Sequence, residues 1–283
     1  MKRSKPAPER RIFIPPQSPV LVEVPPLGDD WLHEIKYDGY RTQLTLDWAG
    51  ARALTKTGID WSRRYWPIVA AAEALPAKSF ILDGEVIAPD ERGVSDLSSL
   101  RQALAWNAER LAFVAFDIMH LDGRDLRALP LIDRRAMLWD LVKPAQGAIQ
   151  FSQHVIGGGA EFFAGVEQLD LEGMVSKRVD SPYRSGASDA WVKTKCFEFR
   201  ELDIMGVKRS ADGRPVAMLG EQGKYVGSAV VAVSGEIRKR LWARVQEDGG
   251  PPPRPLIGRV RTLKGEGLRH ASLKDFREKD DAR

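Results

Sequence analysis

The sequence has a single cysteine, Cys196, among its 283 residues. An internal disulfide needs two cysteines and a cysteine-based zinc site needs more, so this chain can build neither alone. No apolar run reaches the ~20 residues of a membrane-spanning helix, and the basic N-terminus lacks the apolar stretch of a signal peptide. We therefore expect a cytoplasmic protein that does not bind membranes. Any metal that it uses should be a hard cation, with Mg²⁺ the first candidate.

Basic residues are in modest excess over acidic ones. The formal net charge is +4, which gives mild support to a polyanionic partner such as nucleic acid. Between Arg254 and Arg283, nine basic residues stand against five acidic ones. A solvated tail explains that excess as well as a nucleic-acid contact does, so charge alone leaves both interpretations open.

Short strands alternate with helices from Trp31 onward, the pattern of an α+β fold. We expect a flexible basic arm over residues 1–20, a first domain over 21–200 and a second over 201–283. The strands predicted in the first domain are Trp31–Lys36, Arg41–Trp48, Ala51–Lys56, Phe80–Ala88, Leu111–Met119, Glu172–Arg178 and Trp191–Cys196. The helices predicted there are Ser62–Leu75, Asp96–Trp106, Ile132–Val142 and Ala160–Leu169.

The second domain has a different pattern. Several short strands with tight turns are predicted between Glu201 and Val233, followed by a helix over Gly235–Val245. A proline-rich break then precedes a last strand, Leu256–Leu263. Five or so strands and one helix in about 80 residues are typical of a small β-barrel of the OB type.

The first chemical candidate is the segment from Glu34 to Arg41. Alternate side chains of a strand share a face, so Glu34 and Lys36 point the same way, and Asp38-Gly39 forms a tight turn. A surface hairpin of mixed charge would also have this pattern. A lysine with a pKa of ~10.4 is a poor nucleophile until nearby cations or burial lower that pKa. Such an amine can attack phosphorus and form a phosphoramidate.

The cations proposed to act on Lys36 are Arg41, Lys193 and Lys195. Lys193 and Lys195 share one strand face, and an anion such as a triphosphate would relieve their mutual repulsion. A solvent-facing edge strand is the alternative interpretation.

Three further positions carry acidic or aromatic side chains on strands. Glu85 shares a strand face with Asp83, and burying the pair requires a metal, a ribose hydroxyl or a lysine, unless it is a salt-bridged strand end. Phe116 is either core or a ring that stacks on a purine. Glu172 precedes Gly173, where a ligand can approach the backbone closely, or where the chain simply turns.

Taken in order, these motifs resemble those of the covalent nucleotidyltransferases. The motifs are Lys-Tyr-Asp-Gly-Tyr-Arg from Lys36, Leu-Asp-Gly-Glu from Leu82, Phe-Asp-Ile-Met from Phe116, Glu-Gly-Met-Val-Ser-Lys from Glu172 and Trp-Val-Lys-Thr-Lys from Trp191. The chain most resembles ATP-dependent DNA ligases, in particular the ligase domain of bacterial end-joining enzymes. That family implies an ATP-grasp-like nucleotidyltransferase domain of antiparallel sheets with flanking helices, followed by an OB-fold barrel.

The resemblance implies a role for each matching position in the first domain. Lys36 would carry AMP, Glu34 would recognise adenine and Phe116 would stack on it. Glu85 would contact the ribose or a metal, and Glu172 a metal. The residues that would contact phosphates are Arg41, on the nucleotide or the nick, and Lys193 and Lys195, on the α-phosphate.

Other implied roles concern DNA and the leaving group. Lys56 stands where most relatives have arginine, and lysine cannot form the bidentate phosphate contact of arginine. Lys56, Arg41 and Arg269 are the predicted DNA contacts. Arg277 and Lys279 resemble a motif that orients the pyrophosphate.

The function implied is an ATP-dependent DNA ligase that seals nicks in double-stranded DNA through a lysyl-AMP intermediate. Its cofactors would be ATP and Mg²⁺ or Mn²⁺. We expect a nucleoid-associated monomer that acts in repair, with a Ku-like end-binding protein as a partner. An RNA ligase, a GTP-dependent capping-type nucleotidyltransferase and a non-catalytic nick-binding protein are the alternatives.

Overall fold

The computed structural model describes residues 12–91, 93–143, 147–245, 250–263, 267–268 and 270–279. The chain divides into two compact units, the first ending at Thr194 and the second beginning at Lys195. Within the described ranges, no helix is both long enough and apolar enough to cross a bilayer.

The first unit contains strands in two sheets. They are β1 (Gln17–Leu21), β2 (Trp31–Ile35), β3 (Tyr40–Asp47), β4 (Gly50–Thr55), β5 (Phe80–Ile87), β6 (Ala112–Leu121), β7 (Arg124–Asp125), β8 (Ile149–Phe151), β9 (Val155–Ile156), β10 (Gly173–Arg178) and β11 (Gly186–Lys195). One sheet has the order β1-β11-β10-β2-β9, and the other has the order β4-β3-β5-β6-β7 with β8 beside β6.

The last helix of this unit packs against β2 and β10 of the first sheet, and the others cover the second sheet. The helices are α1 (Trp66–Glu73), α2 (Leu97–Trp106), α3 (Leu131–Val142) and α4 (Gly159–Gln168), with a short 3₁₀ turn at Ala108–Arg110. Asp96 starts α2 by accepting hydrogen bonds from two backbone N–H groups of the first turn. The apolar faces of α1, α2 and α3 pack on that sheet in one core. In the centre of β5, Gly84 is required because a Cβ there would lie 2.4 Å from the Phe113 ring.

The second unit is a closed barrel. Its strands are β12 (Phe197–Arg209), β13 (Pro215–Glu221), β14 (Lys224–Val231), β15 (Leu256–Leu263) and β16 (Ser272–Glu278), in the order β12-β13-β14-β16-β15. The helix α5 (Gly235–Trp242) follows β14, and its capping residue Ser234 accepts a hydrogen bond from the backbone of Ile237. Alternate apolar side chains of the strands fill the barrel interior.

The predicted α+β architecture is confirmed, and every strand and helix predicted in the first domain has its counterpart within a few residues. The prediction that Leu256–Leu263 is the last strand was wrong. β16 follows it and closes the barrel between β14 and β15, although its sequence is rich in charge. β1 was also missed. It overlaps the end of the segment assigned to the basic arm and pairs in parallel with β11, a partner far away in sequence.

Candidate active site

Lys36 lies directly after β2, at the edge of a cavity in the first unit. Its backbone N–H donates to the carbonyl of Gly173 at 2.9 Å, which extends the antiparallel pairing of β2 with β10. This pairing brings Glu172 alongside, and Lys36 Nζ lies 2.5 Å from Glu172 Oε2. The side chain of Lys36 is 23% exposed and that of Glu172 is 7% exposed. An amine that a ligand can reach is therefore held against a nearly buried carboxylate.

The cavity has a volume of about 220 Å³ and is lined from both sheets of the first unit. The predicted site residues that line it are Glu34, Lys36, Arg41, Lys56, Glu85, Phe116 and Lys193. The structure thus gathers side chains that the sequence spreads over more than 150 residues.

Arg41 is fixed by a buried carboxylate. Its guanidinium donates two hydrogen bonds to Asp83, at 2.8 and 2.6 Å, and one to the carbonyl of Gln17 at 2.9 Å. Asp83 also accepts a 2.6 Å hydrogen bond from the hydroxyl of Tyr183, which accepts one in turn from the backbone N–H of Gln17. The guanidinium lies 4.7 Å from the centroid of the Phe116 ring. This network holds the Arg41 guanidinium in one position at the cavity wall.

Glu34 is 2% exposed and forms ion pairs with two cations, Arg135 and Lys177. Arg135 comes from α3 and also donates to the carbonyl of Phe116 at 2.8 Å. Its guanidinium also donates to the carbonyl of Ser152. A carboxylate this deep needs such partners, because burying an isolated charge is costly. Glu34 and Lys177 therefore line the cavity with opposite charges, and Arg135 pairs with Glu34 without lining the cavity itself.

Lys177 is 2% exposed, and its Nζ lies 4.3 Å from the ring centroids of both Phe116 and Trp191. Burial lowers the pKa of Lys177 to about 8, although Glu34 acts in the opposite direction. The rings of Phe116 and Trp191 meet edge to face, with centroids 6.1 Å apart, so the ammonium lies in the angle between them.

Glu85 lies opposite Arg41 on the β3–β5 ladder. Burial raises the pKa of Glu85 to about 8, against the effect of Arg41 and Lys36 and with a further increase from Asp83 and Glu172. Glu85 and Glu172 therefore repel each other, and a cation between them would relieve that repulsion. No group of three or more candidate metal ligands occurs among the described residues. Two carboxylates nevertheless fit Mg²⁺, which takes one or two from protein and the rest from phosphates and water.

Three further predicted residues belong to the second unit. Lys195 ends β11 and is the first residue of the second unit. On the barrel, Arg277 pairs with Glu201 at 2.8 Å, and Lys279 pairs with Asp203 at 3.1 Å. Arg269 lies outside the described residues.

Sequence reasoning missed Lys177 in the cavity wall and several residues that support the wall from outside it. Gln17 and Tyr183 position Arg41, and Arg135 and Lys177 surround Glu34. A signal existed for Lys177, because strand alternation places it on the same face as Val175, which also lines the cavity. The sequence carried no sign of Gln17, whose role depends on the parallel pairing of β1 with β11.

Comparison with known proteins assigns the chain to a family. Residues 23–195 match the ATP dependent DNA ligase domain, which covers the entire cavity wall beyond β1. The chain belongs to that family. The resemblance inferred from the motifs is therefore confirmed.

Two LigD proteins illustrate the relationship. The multifunctional non-homologous end joining protein LigD of Pseudomonas aeruginosa is 31% identical over 270 residues, which are 94% of this chain and 29% of that protein. The corresponding DNA repair protein of Mycobacterium tuberculosis is 33% identical over 188 residues, 66% of this chain and 24% of that protein. The chain thus spans less than a third of the length of these relatives.

Solved structures agree in fold. The crystal structure of the ligase domain from M. tuberculosis LigD has a TM-score of 0.61 and 26% identity, covering 93% of this chain and 94% of that one. A mycobacterial DNA ligase D complexed with ATP has the same TM-score and identity, covering 93% and 95%.

Proposed function

We propose that this chain is an ATP-dependent DNA ligase that seals nicks through AMP held covalently on Lys36. The contact between Lys36 Nζ and Glu172, at the edge of a cavity lined by Arg41, Glu85 and Lys193, is the observation that carries the proposal. Membership of the ligase family and the ATP complex of a similar mycobacterial ligase support it.

The first step transfers AMP to Lys36. The Nζ lone pair attacks the α-phosphorus of ATP, a nitrogen–phosphorus bond forms, and the bond to the pyrophosphate oxygen breaks. Glu172 Oε2, 2.5 Å from Nζ, would take the proton that the amine loses. Lys193 and Lys195 would neutralise the α-phosphate, while Arg277 and Lys279 would orient the leaving pyrophosphate.

The next two steps act on DNA. An oxygen of the 5′-phosphate at the nick attacks the AMP phosphorus, and the bond to Lys36 breaks. The 3′-hydroxyl then attacks the activated 5′-phosphate, closes the strand and releases AMP. Arg41, held in place by Asp83, would fix the nucleotide or nick phosphate, with Lys56 and Arg269 on the DNA backbone.

Glu85 and Glu172 would hold the metal. Mg²⁺, or Mn²⁺ in its place, supplies compensation for the negative charge that accumulates on the phosphates. When it is bound, Glu85 stays ionised in spite of the burial that raises its pKa.

For the two units, we propose an adenylation domain over residues 21–200 and an OB-fold domain over 201–283, which the closed barrel supports. Residues 1–20 would be a basic arm whose end, β1, joins the first sheet. By analogy with the named function of the LigD relatives, the substrate would be nicked or broken double-stranded DNA in end-joining repair. A Ku-like partner, a monomeric state and association with the nucleoid complete the proposal.

Sealing assays test this function. The purified chain is incubated with ATP, Mg²⁺ and a labelled nicked DNA duplex, alongside a duplex with an RNA nick. Lys36→Arg is the matched control, since it keeps a cation beside Glu172 but lacks the nucleophilic amine. We expect the wild type alone to seal the DNA nick, and only with the metal present. Sealing of the RNA nick alone, or equal sealing by Lys36→Arg, would contradict the proposal.

A further inference from the structure

The outer face of the barrel carries two stacks of an arginine on a phenylalanine. β12 places Phe197 and Phe199 on one face, and β15, its antiparallel neighbour, places Arg259 and Arg261 on the same side. The Arg261 guanidinium lies 3.7 Å from the Phe197 ring centroid, and that of Arg259 lies 4.4 Å from the Phe199 centroid. Phe199 is 53% exposed, and neither ring belongs to the described apolar core of the barrel. These rings therefore do not serve to fill the barrel.

The two stacked arginines lack the ion pairs of their neighbours. Glu201 lies directly opposite Arg259 on the ladder, yet its carboxylate pairs with Arg277 at 2.8 Å. Asp275 lies opposite Arg259 on the other side, and it accepts a hydrogen bond from the backbone N–H of the next residue. Within the ranges that the structure describes, neither Arg259 nor Arg261 pairs with a carboxylate. Two positive charges on this face are therefore available to an anion.

An arginine that stacks on a ring keeps its hydrogen-bond donors. Its planar face meets the ring, while its five N–H groups remain at the edge of the guanidinium, in a geometry that matches phosphate. Two residues that are two positions apart on a strand lie about 6–7 Å from each other. Successive phosphates of one nucleic-acid strand have a similar separation. Arg259 and Arg261 can therefore contact neighbouring phosphates of the same strand.

The exposed rings distinguish a single strand from a duplex. In a duplex the bases are already stacked on each other, so its exterior offers phosphates to an arginine but no free base to an aromatic ring. Unpaired bases stack on aromatic rings and on guanidinium planes with little dependence on sequence. A face that combines phosphate donors with an exposed ring, Phe199, therefore fits a single strand better than a duplex.

We propose that the Phe197–Arg261 and Phe199–Arg259 stacks form a binding strip for single-stranded DNA, the form that DNA takes in the overhang of a broken end. The arginines donate to successive phosphates, and Phe199 stacks on a base. The strip belongs to the second unit, whereas the ATP cavity is lined by residues of the first. Binding at the strip therefore requires no AMP on the protein, and the inference goes beyond the proposed ligase function.

Binding of short fluorescent DNA probes in the absence of ATP tests the strip. The probes are an oligothymidylate of about 12 nucleotides, within the site size of such barrels, a strand of the same length with abasic sites, and a blunt duplex. Fluorescence anisotropy measures the dissociation constant of each. We expect the wild type to bind the oligothymidylate about 10-fold more tightly than the abasic strand, because only the former has bases to stack.

Phe199→Leu removes the ring and keeps an apolar side chain. We expect this variant to bind the oligothymidylate about 10-fold more weakly than the wild type, the effect of losing one base stack. Its binding of the abasic strand and of the duplex should be unchanged. Tyr225→Leu is the matched control, since it removes an aromatic side chain of similar exposure, 60%, from β14. It should alter the binding of none of the three probes.

Replacing both Arg259 and Arg261 by methionine tests the phosphate contacts. Each such contact contributes about 0.7 to the slope of log affinity against log salt for a single strand, so the slope of the variant should be smaller by about 1.4. Arg214→Met, which removes an exposed arginine paired with Asp212, should leave the slope unchanged. If circular dichroism shows that the double variant is unfolded, Arg259→Met takes its place and should lower the slope by about 0.7.

The outcomes separate this inference from the ligase function. Equal binding of the oligothymidylate and the abasic strand by the wild type would overturn the inference, and so would a salt slope that the arginine variant leaves unchanged. It also fails if Phe199→Leu weakens duplex binding as much as single-strand binding. All variants should transfer AMP from ATP to Lys36 as the wild type does, and loss of that transfer with unchanged DNA binding would overturn the inference. No transfer by the wild type would instead contradict the ligase function.

Discussion

The two units place their charges differently. In the first unit, Arg134 and Asp117 form a bidentate ion pair with both side chains fully buried, and the cluster of Glu34, Arg135 and Lys177 lies nearly as deep. In the described part of the barrel, the ion pairs lie at the surface; Arg200–Glu221 and Arg277–Glu201 are examples, with side chains 28–59% exposed.

This difference follows from what each unit must do. Buried ion pairs seldom stabilise a fold more than apolar residues of the same volume would, because removing charges from water is costly. A cavity that must hold a charged nucleotide in one orientation can still retain such ion pairs, because they provide fixed charges. The barrel has an apolar interior and places its cations outside, where phosphates can reach them.

The largest difference between the units should appear when an ion pair is broken. Arg134→Met leaves Asp117 charged and buried, so we expect the free energy of unfolding to fall by about 3–5 kcal/mol. The surface counterpart, Arg200→Met, should lower it by no more than about 1 kcal/mol. Urea titrations followed by tryptophan fluorescence measure both. Equal losses would remove the distinction between the units.

The barrel cations should affect activity without affecting stability. Replacing Arg277 and Lys279 by alanine should slow AMP transfer from ATP about 100-fold, because the pyrophosphate loses its charge compensation. Sealing of a nick that already carries AMP should be spared. Arg214→Ala, which breaks another exposed ion pair, is the control and should change neither step. Parallel loss of both steps in the double variant would contradict this role.

A smaller effect is expected where a neutral group supports a charged one. Tyr183→Phe removes the hydroxyl that donates to Asp83, the carboxylate that holds Arg41. We expect kcat for nick sealing to fall about 10-fold while KM for ATP changes less, since Arg41 keeps its charge but is less well oriented. Tyr225→Phe, which alters an exposed tyrosine of the barrel, should have no effect. Unchanged sealing by Tyr183→Phe would mean that Arg41 does not depend on this hydroxyl.

The smallest predicted effect depends on pH. Burial lowers the pKa of Lys177 to about 8, so its ammonium form is lost as pH rises through that value. A neutral amine compensates the charge of Glu34 less well, and both groups line the cavity, so KM for ATP should rise on the order of 3-fold between pH 7 and 9. In Lys177→Arg the guanidinium stays protonated, so its KM should not change over this range. The same rise in both proteins would assign the titration to another group.

Elements with strong local signals could be predicted from the sequence. The strand carrying Leu-Asp-Gly-Glu and the helix that starts at Asp96 combine an apolar pattern with a turn or cap, and both form as expected. β1 and β16 lacked such signals. β1 is short and flanked by prolines, and β16 contains four charged residues, so each becomes a strand only through its partners.

The residues of the site also fall into two groups, those predicted from local motifs and those that depend on distant partners. Lys36, Arg41 and Glu85 were predicted because they stand in motifs, and the cavity brings them together. Lys177 was quoted within a motif but given no role, since its importance comes from Glu34, more than 140 residues earlier. Partners that depend on long-range pairing leave little trace in a single sequence.

The measurement that tests the account most directly is covalent labelling with α-labelled ATP. The wild type and Lys36→Ala are treated with pyrophosphate to remove bound AMP, incubated with labelled ATP and Mg²⁺, and separated on a denaturing gel. We predict label on the wild type and none on Lys36→Ala. No label on the wild type, or equal label on both proteins, would contradict the assignment of Lys36 as the adenylated nucleophile.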